Sequence, residues 1–195
     1  MALYNTRFSE TTSGSSSLRR MIHEKKILQL LKPKQDDVIL DFGCNKGDLV
    51  SFLRSHSENV YGCDVNREAI ENSPVKGLSL ISEKGLGYKN NSFDKIVSSH
   101  VIEHISDLKR TFEEIERVLR PTGTCVLIYP LEIFRGSNNL IQCWKIYGNP
   151  LYSRKLHVQK LNPGKIKRLT GMKLIKKGIF FAPFPTYYTV LKNEE

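Results

Sequence analysis

Residues with the means for chemistry are concentrated in a few short stretches of this 195-residue chain. In VILDFGCNKGDLVSFL (Val38 to Leu53) an apolar run ends on Asp41, and Gly43 and Gly47 follow at GxxxG spacing around Cys44 and Asn45. A strand that closes on a glycine turn and runs into a helix offers backbone N–H groups and the positive end of the helix dipole to a polar ligand. A second acid, Asp64, closes NVYGCD 21 residues after Gly43. That is near the spacing at which a carboxylate on the next strand accepts hydrogen bonds from both ribose hydroxyls. A third cluster is SSHVIEHISD, which holds His100, Glu103 and His104, and His157 lies further on.

An adenosine-containing ligand follows from the two acids and the loop. An acid set before the loop repels a pyrophosphate and suits a cation, and the glycines do not form the GxGxxG fingerprint of a dinucleotide site. S-adenosylmethionine, with a sulfonium and an α-amino group, fits this pattern. Asn45 stands where such loops often carry a glycine. Asn adopts left-handed backbone angles more readily than most other non-glycine residues, so it is expected to serve in the turn. The competing structural readings are that Gly43 and Gly47 are simple turn residues, and that Asp64 caps the following helix.

These residues need strands and helices to hold them. Apolar, β-type runs alternate with helical ones: DVILDF, a helix from about Asp48, NVYGCD, a short helix from Asn66, LSLIS, KIVSSH, a helix from Asp107, and TCVLIYP. Continuous apolar strands each followed by a helix are what a parallel sheet covered on both faces requires. Ahead of them, LRRMIHEKKILQLL groups Leu18, Met21, Ile22, Leu28 and Leu31 at helical spacing, and Pro33 ends that helix. NPGKIKRLTG reads as a capped helix, and the last stretch as two strands joined around APFP.

The length suits one core. No apolar run approaches the roughly 20 residues of a membrane-spanning helix, and the N-terminal residues do not read as a secretory signal; the cytoplasm is the expected compartment. The four cysteines are scattered, with no CxxC pair or zinc-type spacing, and are expected to be reduced and mostly buried, with no metal site. The net charge of +10 is unevenly placed. Ile133 to Asn193 contains 12 Lys/Arg and no Asp or Glu. A field of one sign attracts anionic partners, or simply keeps a surface solvated.

The chain resembles a class I S-adenosylmethionine-dependent methyltransferase of the small, single-domain type 11 kind. VILDFGCNKG, GCDVN, NNSFDKIVSSHVIEHISD, EEIERVLRPTGTCVLIYP and HVQKLNPGKIKRLTGMKL carry the resemblance. It implies an α/β, doubly wound, Rossmann-like, mostly parallel seven-stranded sheet with a C-terminal antiparallel strand pair. It further implies that Asp41, Gly43, Cys44, Asn45 and Gly47 surround the methionine end of the donor, that Asp64 holds the ribose, and that Val65 packs on the adenine. Ser99 and His100 then border the methionine side. Where the family often has an acid for the adenine amine, this chain has Ser82, and either Glu83 beside it or a backbone contact takes that place.

A single domain over 1–195 is expected, with 1–17 a flexible segment and 131–162 a basic, aromatic lid on the substrate side. An anionic or polar small molecule, glycan or lipid is the expected methyl acceptor. RNA, stacked on aromatics set among Lys/Arg, is the alternative, as is a catalytically silent binding subunit, and the charge is also compatible with peripheral contact with an anionic membrane. A base is needed only if the acceptor loses a proton; His104 and His157 are the candidates by residue type. For Glu103 and His104 the competing role is to hold the turn after the fourth strand, and for His157 that of a surface histidine.

Overall fold

The computed structural model describes residues 17–82, 85–131, 144–145, 148–149, 158–182 and 184–194. Helix α1 (Ser17–Leu31) leads into β1 (Val38–Phe42), α2 (Asp48–Leu53), β2 (Asn59–Asp64), α3 (Arg67–Glu71), β3 (Leu78–Leu80) and β4 (Phe93–Ser99). A 3-10 turn (Ile102–His104) follows, then α4 (Leu108–Val118), β5 (Leu119–Pro130), α5 (Pro163–Leu169), β6 (Lys173–Phe181) and β7 (Pro185–Lys192). The seven strands form one sheet in the order β3-β2-β1-β4-β5-β7-β6. β1 to β5 pair parallel, whereas β7 is antiparallel to both β5 and β6. The chain winds outward from β1 to β3 and then returns to place β4 on the other side of β1. In doubly wound sheets, ligands bind at such a reversal, outside the carboxyl ends of the strands.

The strands read as unbroken apolar runs because both faces are covered. On one face Phe112, Ile115 and Val118 of α4 and Ile166 of α5 pack on Leu40, Ile96 and Leu127. On the other, Ile27, Leu30 and Leu31 of α1 and Val50 and Leu53 of α2 pack on Ile39, Val97, Val126 and Ile128. α4 is held at its start by Asp107, whose carboxylate accepts the Arg110 N–H at 3.1 Å, a side-chain cap of the usual kind.

The stripe of α1 differs from the one its sequence suggests. Leu18 and Met21 are exposed, and the inward positions are His23, Ile27, Leu30 and Leu31. The second half of the helix lies over β4 and β5, and the first turns carry Leu18 and Met21 on the outer side. Asp94 of the SFDK stretch serves the framework. Its Oδ2 accepts the Val38 N–H at 2.8 Å, and Nη1 of Arg120 donates to both of its oxygens, at 2.7 and 2.6 Å, so it ties β1 to β4. Against the opposing effect of burial, those partners hold its carboxyl below the usual range. Among the described residues, no helix is long and apolar enough to cross a membrane.

Candidate functional site

Two loops meet at the sheet reversal. The first leaves β1 at Phe42 and takes three left-handed residues, Gly43 (φ 85°), Asn45 (φ 47°) and Gly47 (φ 83°), before α2 begins. Asn45 thus adopts the backbone its residue type allows. The N–H groups of Gly43 and Cys44 both donate to the Cys63 carbonyl, at 2.8 and 3.1 Å, which folds the loop over the end of β2.

Asp64, at that strand end, is buried. Its Oδ2 accepts the Asn45 N–H and its Oδ1 the Asn66 N–H, each at 2.8 Å. A carboxylate oxygen has two lone pairs, so each retains one for a further donor. The cap of α3 is not Asp64: Asn66 takes that role, accepting the Ala69 N–H at 3.2 Å. Val65 is half-buried beside them.

Asp41 is also buried, and its carboxyl is pushed up to about 8, first by burial and then by the charge of Asp64. Among the described residues neither acid has a basic partner, and two such acids favour a positively charged guest. Cys44 and Cys63 are free and buried, and burial, reinforced by the nearby acids, raises both thiols far above the neutral range, so neither is a nucleophile. Cys125 is a third free buried thiol, and Cys143 lies outside the described residues.

The glycines play packing roles. A Cβ on Gly43 would collide with the Val101 side chain, so the close approach there is to the second loop. A Cβ on Gly47 would meet Leu78 and Val75 at 3.1 Å, so that glycine lets the start of α2 sit against β3.

The second loop leaves β4 after Ser99, a half-buried residue paired with Ile128. His100 has φ 58°, uncommon for a residue with a side chain, and its N–H is fixed to the Ile128 carbonyl at 2.8 Å. His100 Nδ1 lies 3.4 Å from Oε1 of the buried Glu103. The ring of His23, from α1, stands 5.2 Å from that of His100. His104 lies on the 3-10 turn, half-buried, with its N–H bonded to the Val101 carbonyl at 3.0 Å. The same turn receives the returning chain, since Gln159 N–H donates to the Glu103 carbonyl at 3.1 Å.

The loops therefore gather Asp41, Gly43, Cys44, Asn45, Gly47, Asp64, Val65, Ser99 and His100 at one end of the sheet. Glu83 and His157 lie outside the described residues, as does nearly all of 131–162. Sequence reading missed His23. The available signal was a histidine at i−4 and i−7 from Ile27 and Leu30, a polar residue on an inward stripe. Among the described residues, no cluster suited to a metal ion occurs.

Residues 40–127 match the family model described as a methyltransferase domain. An uncharacterised protein of Methanocaldococcus jannaschii is 30 % identical over 183 residues, covering 88 % of this chain and 70 % of that protein. The demethylmenaquinone methyltransferase of Lactobacillus johnsonii is 30 % identical over 137 residues, 63 % of this chain and 55 % of the relative. The chain spans between 29 and 70 % of the length of these and a further curated relative. The crystal structure of a SAM-dependent methyltransferase from Archaeoglobus fulgidus superposes with a TM-score of 0.71 at 16 % identity, covering 97 % of this chain and 99 % of that one. It shares the fold.

Proposed function

The chain belongs to the class I S-adenosylmethionine-dependent methyltransferases of type 11, and from that premise we propose that it methylates an anionic or polar small molecule, glycan or lipid. The donor's requirements fit the residues present: the buried ionisable groups of the first loop and the β2 end are acids and neutral thiols, and the acids complement a sulfonium and an ammonium. When bound, S-adenosylmethionine supplies a methyl group activated by positive sulfur. The protein's part is to hold and orient, which removes much of the entropic barrier to a displacement.

Asp41 balances the positive methionine end, together with the backbone of Gly43, Cys44, Asn45 and Gly47. Asp64 uses its remaining lone pairs for the ribose hydroxyls, and Val65 packs on the adenine. Glu83 takes the adenine amine, and the backbone of Ser99 and His100 borders the methionine side. A protic acceptor also needs a base within reach; His104 and His157 are the histidines proposed from residue type.

The acceptor class rests on one observation, the 12 Lys/Arg without an Asp or Glu between Ile133 and Asn193. Of the described residues that flank this stretch's irregular part, Leu131 N–H donates to the Pro185 carbonyl at 3.2 Å and Gln159 N–H to the Glu103 carbonyl at 3.1 Å. Five of the twelve, Arg135, Lys145, Arg154, Lys155 and Lys160, fall within 131–162, the proposed lid. One relative is named for a small-molecule acceptor, demethylmenaquinone.

Transfer of a labelled methyl group into cell-extract fractions tests the proposal. Labelling that is lost after phosphatase, or that persists in small-molecule or lipid fractions after nuclease, supports it. Loss after nuclease alone makes RNA the acceptor, and donor binding without labelling of any fraction makes the chain a silent binding subunit.

A further inference from the structure

We infer that His23 and His100, with Glu103, form the proton-accepting site for the methyl acceptor, and that the acceptor presents two hydrogens there, as an NH2 group or as two neighbouring hydroxyls. This rests on the methyltransferase reading, assigns the proton to His100 in place of His104 and His157, which residue type alone nominates, and adds the chemistry of the group that reacts.

The placement comes from three elements. His100 is the first residue after β4, on the flank of the sheet reversal, and its left-handed backbone is pinned by the bond from its N–H to Ile128. Such a conformation costs on the order of 1–2 kcal/mol in a residue with a Cβ and persists only where the surroundings impose it. Glu103, buried on the 3-10 turn, faces His100 Nδ1. His23 arrives from α1, with its ring edge-on to Phe180 at 5.3 Å. Strand β6 and helix α1 thus fix His23 while β4 and the turn fix His100.

What remains open on each ring is the same atom. Nε2 of His23 and Nε2 of His100 are both buried and lack a hydrogen-bond partner among the described residues. Buried polar atoms are nearly always satisfied, so two such atoms on rings 5.2 Å apart call for a shared guest. An imidazole whose Nδ1–H donates to a carboxylate or a carbonyl presents a lone pair at Nε2. An open Nε2 on each of two neighbouring rings can take two hydrogens. A tertiary amine or thioether offers none.

The surroundings divide the labour between the rings. Burial first, then the neighbouring His100 and Arg19, push His23 down to about 4, while the Ala182 backbone works weakly the other way. His23 therefore stays neutral and orients the acceptor. Of the two rings His100 is the one that faces a carboxylate, with its Nδ1 3.4 Å from Oε1 of Glu103, and it is assigned the proton. As the methyl group is transferred, a lone pair of the acceptor atom X forms the bond to carbon, the X–H bond breaks with its pair staying on X, and the proton passes to His100 Nε2. The pair of the old sulfur–carbon bond stays on sulfur. One positive charge moves to His100 and leaves with the proton to solvent, so no oxidant or reductant is involved.

Ring 15N NMR of the full chain labelled at histidine tests this with S-adenosylhomocysteine present at pH 7. Expected are Nδ1–H tautomers with unprotonated Nε2 at both His23 and His100, and movement of both Nε2 signals on titration with catechol but not with 1,2-dimethoxybenzene. His100→Gln and His23→Gln should each abolish the catechol response of the partner ring, and His23→Gln should hold S-adenosylhomocysteine within about threefold of the parent. The inference is overturned by an Nε2–H on either ring, by equal or absent responses to the two probes, or by an affinity loss above about tenfold in His23→Gln, which would make it a donor-binding side chain. Failure of the parent to bind S-adenosylhomocysteine would instead sink the methyltransferase reading.

Discussion

The backbone N–H of Asn45 donates to Oδ2 of Asp64 at 2.8 Å, so the loop after β1 and the acid at the end of β2 form one unit. Replacing the acid should therefore affect both ligand and loop. Asp64→Asn is expected to weaken S-adenosylmethionine binding by about 10- to 100-fold, the loss of hydrogen bonds to a charged acceptor. Titration calorimetry reads this directly, and unchanged affinity would show that the ribose is held elsewhere.

Asn45→Gly should leave donor binding within about threefold of the parent, because glycine takes the left-handed angle freely. Asn45→Ala should cost on the order of 1 kcal/mol in stability. Thermal melts and the same calorimetry check both. A large affinity loss in Asn45→Gly would reveal a side-chain contact with the donor.

Asp41, held up at about 8, predicts two linked effects. A cation placed beside it favours the ionised form, so donor binding at pH 7 should release up to about one proton, measurable from the dependence of the binding enthalpy on buffer ionisation. The folded state binds a proton at Asp41 that the unfolded chain has released between pH 3.8 and about 8, so stability falls across that window as pH rises. Asp41→Asn should gain stability over the parent as pH is raised toward 8, while binding the donor more weakly. A pH-independent difference in melting temperature would contradict this.

For His23 the sign is reversed. Its folded value of about 4 lies below the ordinary 6.5, so between those values the unfolded chain holds the extra proton and stability falls as pH drops. Urea titrations at pH 4.5 and 6.5 should show a smaller difference in His23→Gln than in the parent. An equal difference would place the acid-sensitive group elsewhere.

Gly43→Ala combines a left-handed φ with a collision against Val101. A destabilisation on the order of 3 kcal/mol is expected. Adding Val101→Ala should recover the steric share but not the backbone share, so a double-mutant cycle would show favourable coupling. Additive losses would mean that the two loops are not in contact.

Much of this site is legible in the sequence because it follows the chain. Continuous apolar strands, the acid closing each of β1 and β2, and the left-handed preference of Asn45 are local signals, and the fold uses each of them. What was hidden depends on sheet order. His23, His100 and Phe180 lie far apart in sequence and meet only because α1 covers the face where β4, β5, β7 and β6 lie side by side. For the same reason Gly43 looked like a glycine for a ligand, whereas Val101, brought across by the pairing of β1 with β4, fills the space above it. His23 was further masked by Leu18 and Met21, which suggested a different stripe but lie on the exposed side of α1.

The central claim is that the paired acids and the left-handed loop form a site for a cationic adenosyl donor. Calorimetric titration of the full chain with S-adenosylmethionine and, separately, with NAD tests it most directly. Saturable one-to-one binding of S-adenosylmethionine, weakened in Asp41→Asn and Asp64→Asn, with no binding of NAD, is the predicted result. Binding of NAD with no binding of S-adenosylmethionine would contradict it.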